Sequence, residues 1–106
     1  LSDLGFSFEG RNDKGEWLIF FVRTLDIRAG ESYQIEQFGS AGTATAHYEA
    51  SADVKYNGVS GFIKFVKFDK LTQEAIIEAE ATIARVNGEE KKIVVKGEFS
   101  GFEGSN

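Results

Sequence analysis

The sequence predicts an all-β fold, an antiparallel β-sandwich or flattened barrel of about eight strands joined by hairpins and a C-terminal meander. Three observations predict it. Short apolar runs recur at fairly even spacing, most of them alternate apolar with polar residues, and Gly, Asn and Asp stand between them. At 106 residues the chain is long enough for one domain with a real core and too short for two, so we expect a single β domain over residues 1–106.

The C-terminal meander is predicted from residues 60–99, where three apolar-patterned runs are separated by two polar segments, 69–73 and 86–89. Asn87-Gly88 is a strong hairpin signal, because both residue types tolerate the positive φ that tight hairpin turns require. The pattern therefore indicates three strands and two reversals.

Residues 73–86 have two interpretations. Ala and Glu are good helix formers, and Ile76, Ala79, Ile83 and Val86 could share one face of a helix. A strand is the preferred interpretation, because apolar and polar residues alternate strictly over 77–83 and the following hairpin needs a partner.

The first two strands are predicted near the N-terminus. Leu4, Phe6 and Phe8 alternate with small or polar residues, and residues 11–15 form a polar segment. This segment is interpreted as a plain hairpin turn, since the ligand spacing of a calcium loop is missing. Trp17–Val22 is apolar at every position, which predicts a central strand covered on both faces.

The middle of the chain predicts shorter strands. Tyr33 and Ile35 follow a Gly30 turn, and residues 43–52 place alanine at alternate positions. Alanines on an inward face either bring two layers close together or leave room beside a ligand, and close packing is the preferred interpretation. Asn57-Gly58 predicts a further turn.

Two segments near the predicted meander have less regular patterns. Residues 62–69 are apolar on both faces, which predicts a bulge or coverage on both sides. The Gly- and Ser-rich tail, residues 101–106, is expected to fray.

Composition excludes several classes of site. The chain has no Cys, so it has neither disulfides nor a Cys-based metal or redox site. The net charge of −5 disfavours nucleic acid and anionic membrane surfaces as partners, and no apolar run is long enough for a transmembrane segment. The chain does not begin with Met, which leads us to expect a processed or trimmed product.

Catalytic and metal-binding constellations are not predicted, and neither is a cofactor. His47 is the only histidine and is expected to be a solvated surface residue rather than a zinc ligand. Glu78 and Glu80 lie side by side on one face of the predicted strand, which is typical of a solvated acidic face rather than of a glycosidase acid/base pair. No Gly-x-Ser-x-Gly elbow is present, so the chain is not expected to be an enzyme.

Aromatic residues supply the candidate ligand-binding residues: Trp17, Tyr33, Tyr48 and Tyr56. If some of these rings share an exposed face, they form a platform for sugar rings or for a protein partner, because Tyr and Trp dominate interface energetics. Their burial in a Phe-rich core is the alternative for each ring.

The chain resembles small β-sandwich domains of unknown function from exported lipoproteins of Bacteroides-type bacteria. The resemblance covers about the last three-quarters of the chain. The first matching features are a turn and strand with Gly30, Tyr33 and Ile35, and a strand that carries Tyr56. A strand ending in Lys-Phe-Asp follows, with Gly61, Ile63, Phe65, Lys67, Phe68 and Asp69. The last are a strand of small and apolar residues over 77–83, a turn at Asn87 and Gly88, and a closing strand with Ile93, Val95, Gly97 and Phe99. The extra N-terminal hairpin usual in that group is not evident before Leu4.

This resemblance implies an exported, envelope-anchored domain with no known activity. We therefore expect a non-catalytic extracytoplasmic binding or adhesion domain, with a glycan or an envelope protein as its partner. Two alternatives stay open: a lipocalin-like carrier of a small apolar ligand, and an inhibitor or structural module that acts through a protein surface. The oligomeric state is left open.

Overall fold

A computed structural model describes residues 5–11, 14–38, 40–100 and 103–105. Every regular element in these ranges is a β-strand, and all strand pairs are antiparallel, which confirms the predicted all-β class. The eight strands are β1 (Gly5–Arg11), β2 (Trp17–Val22), β3 (Ser32–Gln34), β4 (Ala44–Ser51), β5 (Val54–Asp69), β6 (Glu74–Ala84), β7 (Glu90–Ser100) and β8 (Glu103–Ser105).

The C-terminal meander is confirmed as β5, β6 and β7. The rival helix over residues 73–86 is wrong, because this segment pairs with β5 on one side and with β7 on the other. The alternation identified the strand correctly: one face of β6 is buried at every second position, at Ala75, Ile77, Ala79, Ala81 and Ile83.

The strands form one strongly curved sheet in the order β7-β6-β5-β4-β2-β1-β8, with β3 beside β5. The curvature brings the two ends of the sheet over each other: the ring of Phe8 in β1 lies 5.2 Å from that of Phe65 in β5 and 5.8 Å from that of Phe99 in β7. The core therefore lies between two layers. Within the described ranges no ladder joins β7 to β1, so the sheet stays open along a seam between these strands.

The long strand β5 bends where its register shifts, between Gly58 and Ser60 and again between Phe65 and Lys67. The second shift confirms the bulge predicted in residues 62–69. The turn predicted at Asn57-Gly58 is wrong, since β5 runs through it. Gly58 is required by packing instead: a Cβ there would lie 3.0 Å from both Ala46 Cβ and Ile35 Cγ2.

Close packing thus accounts for the alanines at the start of β4. Ala44 and Ala46 are buried and face the core, whereas Ala50 near the end of the strand is half-buried. An alanine at position 46 leaves a gap just wide enough for the β5 backbone at Gly58.

The end of the chain is not frayed in residues 103–105, contrary to the expectation for the tail. These residues form β8, which pairs with Gly5–Ser7 of β1, while residues 101, 102 and 106 lie outside the described ranges. β7 and β8, which follow each other in the chain, therefore lie at opposite ends of the strand order.

We expect Gly61→Ala to destabilise the domain by about 3 kcal/mol or more, because Gly61 has φ of +123° and a Cβ there would overlap the backbone carbonyl of Glu80. Gly97→Ala is the matched control. Its new Cβ would make an ordinary contact of 3.7 Å with the ring of Phe99, and its stability should change by less than about 1 kcal/mol. Urea unfolding of both variants measures the difference, and equal midpoints would contradict the role assigned to Gly61.

Candidate binding cleft

The seam between β1 and β7 opens into a cleft of about 650 Å³. Its floor is apolar and its rim carries charges of both signs. The floor consists of Leu18, Val95 and Phe99 with Gly10 and Gly97, and the rim of Glu9, Arg11, Glu16, Lys96 and Glu98. A space of this size lies within the range of ligand pockets, about 300–1,000 Å³.

Two glycines create this space. Gly97 lies opposite Ile77 on the inward face of β7, and Gly10 lies on the inward face of β1, since it pairs with Leu18, which packs on the core. A Cβ at Gly10 or Gly97 would stand 3.6 or 3.7 Å from the ring of Phe99. Phe99 thus lies between the two backbones, and the missing side chains leave the cleft open beside its ring.

Tyr48 and Tyr56 form an aromatic pair at one end of the cleft, with their ring centroids 5.9 Å apart. The Nζ of Lys91 lies 5.0 Å from each centroid, which is cation–π distance for both rings. Lys91 is directly opposite the buried Ile83, so this lysine is on the inward face of β7 and caps the open end of the core.

Carboxylates fix the two phenols of this pair. The hydroxyl of Tyr48 donates to Glu16 Oε2 at 2.6 Å, and that of Tyr56 donates to Glu89 Oε2 at 2.9 Å. The bond to Glu16, helped by burial, raises the pKa of Tyr48 to about 12, and the bond to Glu89 likewise raises the pKa of Tyr56. Both phenols therefore remain neutral hydrogen-bond donors at neutral pH.

Trp17 borders the cleft at the start of β2, but its ring lies on the outer face of the sheet. Its neighbour Leu18 packs on the core, and successive residues of a strand point to opposite faces. The indole N–H donates to Glu9 Oε1 at 3.1 Å, and the guanidinium carbon of Arg11 lies 4.8 Å from the ring centroid. One aromatic face is thus occupied by Arg11.

Tyr33 lies on β3 and is not among the described residues that line the cleft. Its ring packs edge-on against Phe65, with 5.8 Å between centroids, and its hydroxyl accepts the backbone N–H of Arg28 at 3.2 Å. The four candidate aromatics therefore occupy three places, and the structure brings together two of them, Tyr48 and Tyr56. A binding role for each of the four stays a prediction.

The residues that sequence reasoning missed are Gly10, Gly97, Phe99 and Lys91. A signal for two of them was present: Gly97 and Phe99 belong to the apolar alternation of β7, and a glycine inside an apolar face marks a place where backbone or ligand approaches closely. The position of Lys91 had no such signal, because it precedes the alternation and depends on the register of the hairpin.

His47 is half-buried on the outer face, rather than fully solvated as expected. Its Nε2 lies 2.9 Å from Glu49 Oε2 and its Nδ1 lies 3.0 Å from Asn57 Oδ1, so neighbouring side chains contact both ring nitrogens. Across the described ranges, no group of three or more His, Cys, Asp and Glu side chains is placed to hold a metal ion. The described part of the chain contains no helix that is long and apolar enough to cross a membrane.

A scan against known protein families, a search of curated proteins and a search of solved structures each find no match to this chain. The resemblance to envelope lipoprotein domains accordingly stays a prediction.

We expect Tyr48→Phe to lower the free energy of unfolding by about 1 kcal/mol at neutral pH, because it removes the hydrogen bond to Glu16. The folded-state pKa of Tyr48, about 12, lies above the ordinary value of 10.0. This stabilisation is therefore complete below pH 10 and is lost as the pH rises towards 12.

Urea unfolding of both proteins across this pH range measures the effect. Tyr33 titrates in both proteins, so its contribution cancels in the difference. Tyr56 interacts with Tyr48, so the same comparison is repeated in a Tyr56→Phe background. A difference that stays constant up to pH 12 would show that Tyr48 does not act through its phenol proton.

Proposed function

We propose that this chain is a non-catalytic binding domain whose ligand enters the cleft between β1 and β7. The observation that carries the proposal is the cleft of about 650 Å³ with its apolar floor and charged rim. Apolar lining with a few polar groups at the edge is the usual composition of a ligand site.

The lining favours an amphipathic ligand. The ring of Phe99 and the side chains of Leu18 and Val95 offer apolar surface, while Arg11 and Lys96 alternate with carboxylates along the rim. A ligand with an apolar body and polar groups of both signs matches both features.

Binding is favoured over catalysis by the chemistry of the lining. Among the described residues that border the cleft there is no serine, threonine, histidine or cysteine. The phenol of Tyr48 is held neutral by Glu16, which makes it a hydrogen-bond donor and a poor nucleophile or base.

A carrier that holds an apolar ligand inside the core is less well supported. The interior positions are filled by large side chains, among them Phe8, Phe20 and Phe65, each with no exposed surface. The free space instead lies at the seam, where it opens to solvent.

We further propose that the domain works outside the cytoplasm, anchored at the cell envelope, where a glycan or an envelope protein would be its partner. This part rests on the resemblance given above, and the absence of cysteine is compatible with it.

The binding proposal predicts a ligand that stabilises the domain and depends on the cleft. The fluorescently labelled domain is screened against a glycan array, a set of small amphipathic compounds and a displayed peptide library. Any ligand found should lose affinity at least about tenfold with Gly97→Val, which adds a side chain beside Phe99, and keep it with Ala29→Val on an exposed loop.

Single replacements of Trp17, Tyr33, Tyr48 and Tyr56 by Ala then test the aromatic candidates one at a time. A ligand that ignores Gly97→Val but is lost with one of these replacements would move the site away from the cleft. If all three screens yield no ligand, the binding proposal fails.

The envelope proposal predicts that the protein is recovered with the envelope fraction of the cells that naturally make it. An antibody raised against the purified domain detects it in fractions of broken cells. Recovery in the cytosolic fraction would contradict this proposal without affecting the binding proposal.

A further inference from the structure

The free edge of β7 forms one wall of the cleft. β7 pairs with β6 in unbroken register, from Glu74 opposite Ser100 to Ala84 opposite Glu90. On its other side, the described part of the chain supplies no strand partner. An 11-residue strand therefore offers one full edge for pairing.

The hairpin between β6 and β7 identifies which backbone groups are free. The N–H of Arg85 donates to the carbonyl of Glu89 at 2.8 Å, so these two residues form a hydrogen-bonded pair. Hydrogen-bonded and non-hydrogen-bonded pairs alternate along an antiparallel ladder, and the register does not shift. The odd-numbered residues of β7 thus bond to β6, while the N–H and C=O groups of Lys92, Val94, Lys96 and Glu98 point away from it, towards the cleft side.

The opposite wall of the cleft is also a strand edge. β8 covers β1 at Gly5–Ser7, and the partner register ends there. Residues 9–11 of β1 line the cleft beyond that point. The cleft is therefore a slot with one strand edge on each side.

The side chains of β7 specify what would pair there. The inward row is Ile93, Val95 and Gly97, of which Val95 and Gly97 line the cleft. The outward row is Lys92, Val94, Lys96 and Glu98. An antiparallel strand that complements both rows places acidic residues opposite Lys92 and Lys96, a basic residue opposite Glu98 and a large apolar residue opposite Gly97.

We propose that the ligand of the cleft is an extended peptide segment of a partner protein, which adds as an antiparallel strand to the free edge of β7. This inference rests on the proposed function and names its ligand class. Strand addition supplies main-chain hydrogen bonds for affinity and alternate side-chain contacts for specificity. The cleft is bounded by a strand edge on both sides. A single peptide strand fits into such a slot more readily than the edge strand of a second copy, because that strand belongs to a two-layered domain.

The test uses a fluorescein-labelled peptide whose sequence follows from the pairing opposite residues 98 to 92: Lys-Leu-Glu-Val-Thr-Val-Glu. Fluorescence anisotropy measures its binding to the full chain. We expect saturable binding, and a loss of at least about tenfold when both glutamates are N-methylated, because these residues lie opposite Lys92 and Lys96 and their N–H groups face β7. The matched control peptide is N-methylated at the second valine alone, which lies opposite Ile93, outside the residues that line the cleft, and whose N–H faces away from β7.

A charge reversal tests the register. Lys96→Glu should weaken binding of this peptide about tenfold or more, and a peptide with lysine in place of the glutamate opposite residue 96 should recover it. Lys70→Glu, in the exposed turn after β5, is the control and should leave binding unchanged. Circular dichroism of each variant confirms that it is folded.

The outcomes separate this inference from the proposed function. In one outcome, neither the peptide library nor the designed peptide binds, but another ligand binds and its binding is lost with Gly97→Val. Strand addition is then overturned, and the proposed function stands. Equal binding of the peptide N-methylated at its glutamates also overturns strand addition. If sedimentation shows a dimer that Lys96→Glu dissociates and no peptide competes with it, the edge pairs with a second copy and the inference is wrong.

Discussion

The close backbone approach of β5 and β6 at Gly61 is the constraint on which the rest of the structure depends. β5 pairs with β6 along nearly its whole length, yet its other edge passes from β4 to β3 within a few residues. That transfer needs a bend, and Gly61, directly after the register shift between Gly58 and Ser60, takes φ of +123°, which residues with a side chain rarely adopt. Because β5 bends there, the β1–β2 end of the sheet lies over β6 and β7, and the phenylalanines of both layers meet in one core.

The same curvature determines where the site lies. The two ends of the sheet meet at Phe8 and Phe99 but separate further along, where Gly10 and Gly97 contribute no side chains. Beyond Tyr48, which lines the cleft, Lys91 and Tyr56 continue the cluster with cation–π contacts and phenol–carboxylate hydrogen bonds. The core can therefore end at the charged, hydrated ammonium group of Lys91, while the rings of Tyr48 and Tyr56 stay covered by the lysine.

Local patterns predicted the strands well, because a strand with one buried face alternates visibly, as in β6. They failed where tertiary packing decides the conformation. Asn57-Gly58 has the composition of a turn, but its glycine makes room for Ala46 and Ile35, contacts that no local pattern contains. Likewise, Trp17 and Tyr48 are both aromatic in the sequence, and only the pairing of β2 with β4 shows that they lie on opposite faces of one sheet. The cleft could not be predicted, since it depends on a seam between the first and the second-to-last of the eight strands, β1 and β7.

An open strand edge also bears on solubility. Any extended chain can pair with such an edge, including the edge of a misfolded copy, and Val94 with 70% of its surface exposed makes this one partly apolar. Lys91, Lys92 and Lys96 place positive charge at intervals along β7, and a second copy that pairs with its Val94 opposite the first Val94 would bring Lys92 against Lys96. Such like-charge pairs disfavour the stacking of copies along this edge, and the repulsion weakens as salt screens it. The lysines that oppose pairing with a second copy are thus the same residues on which the proposed peptide selectivity depends.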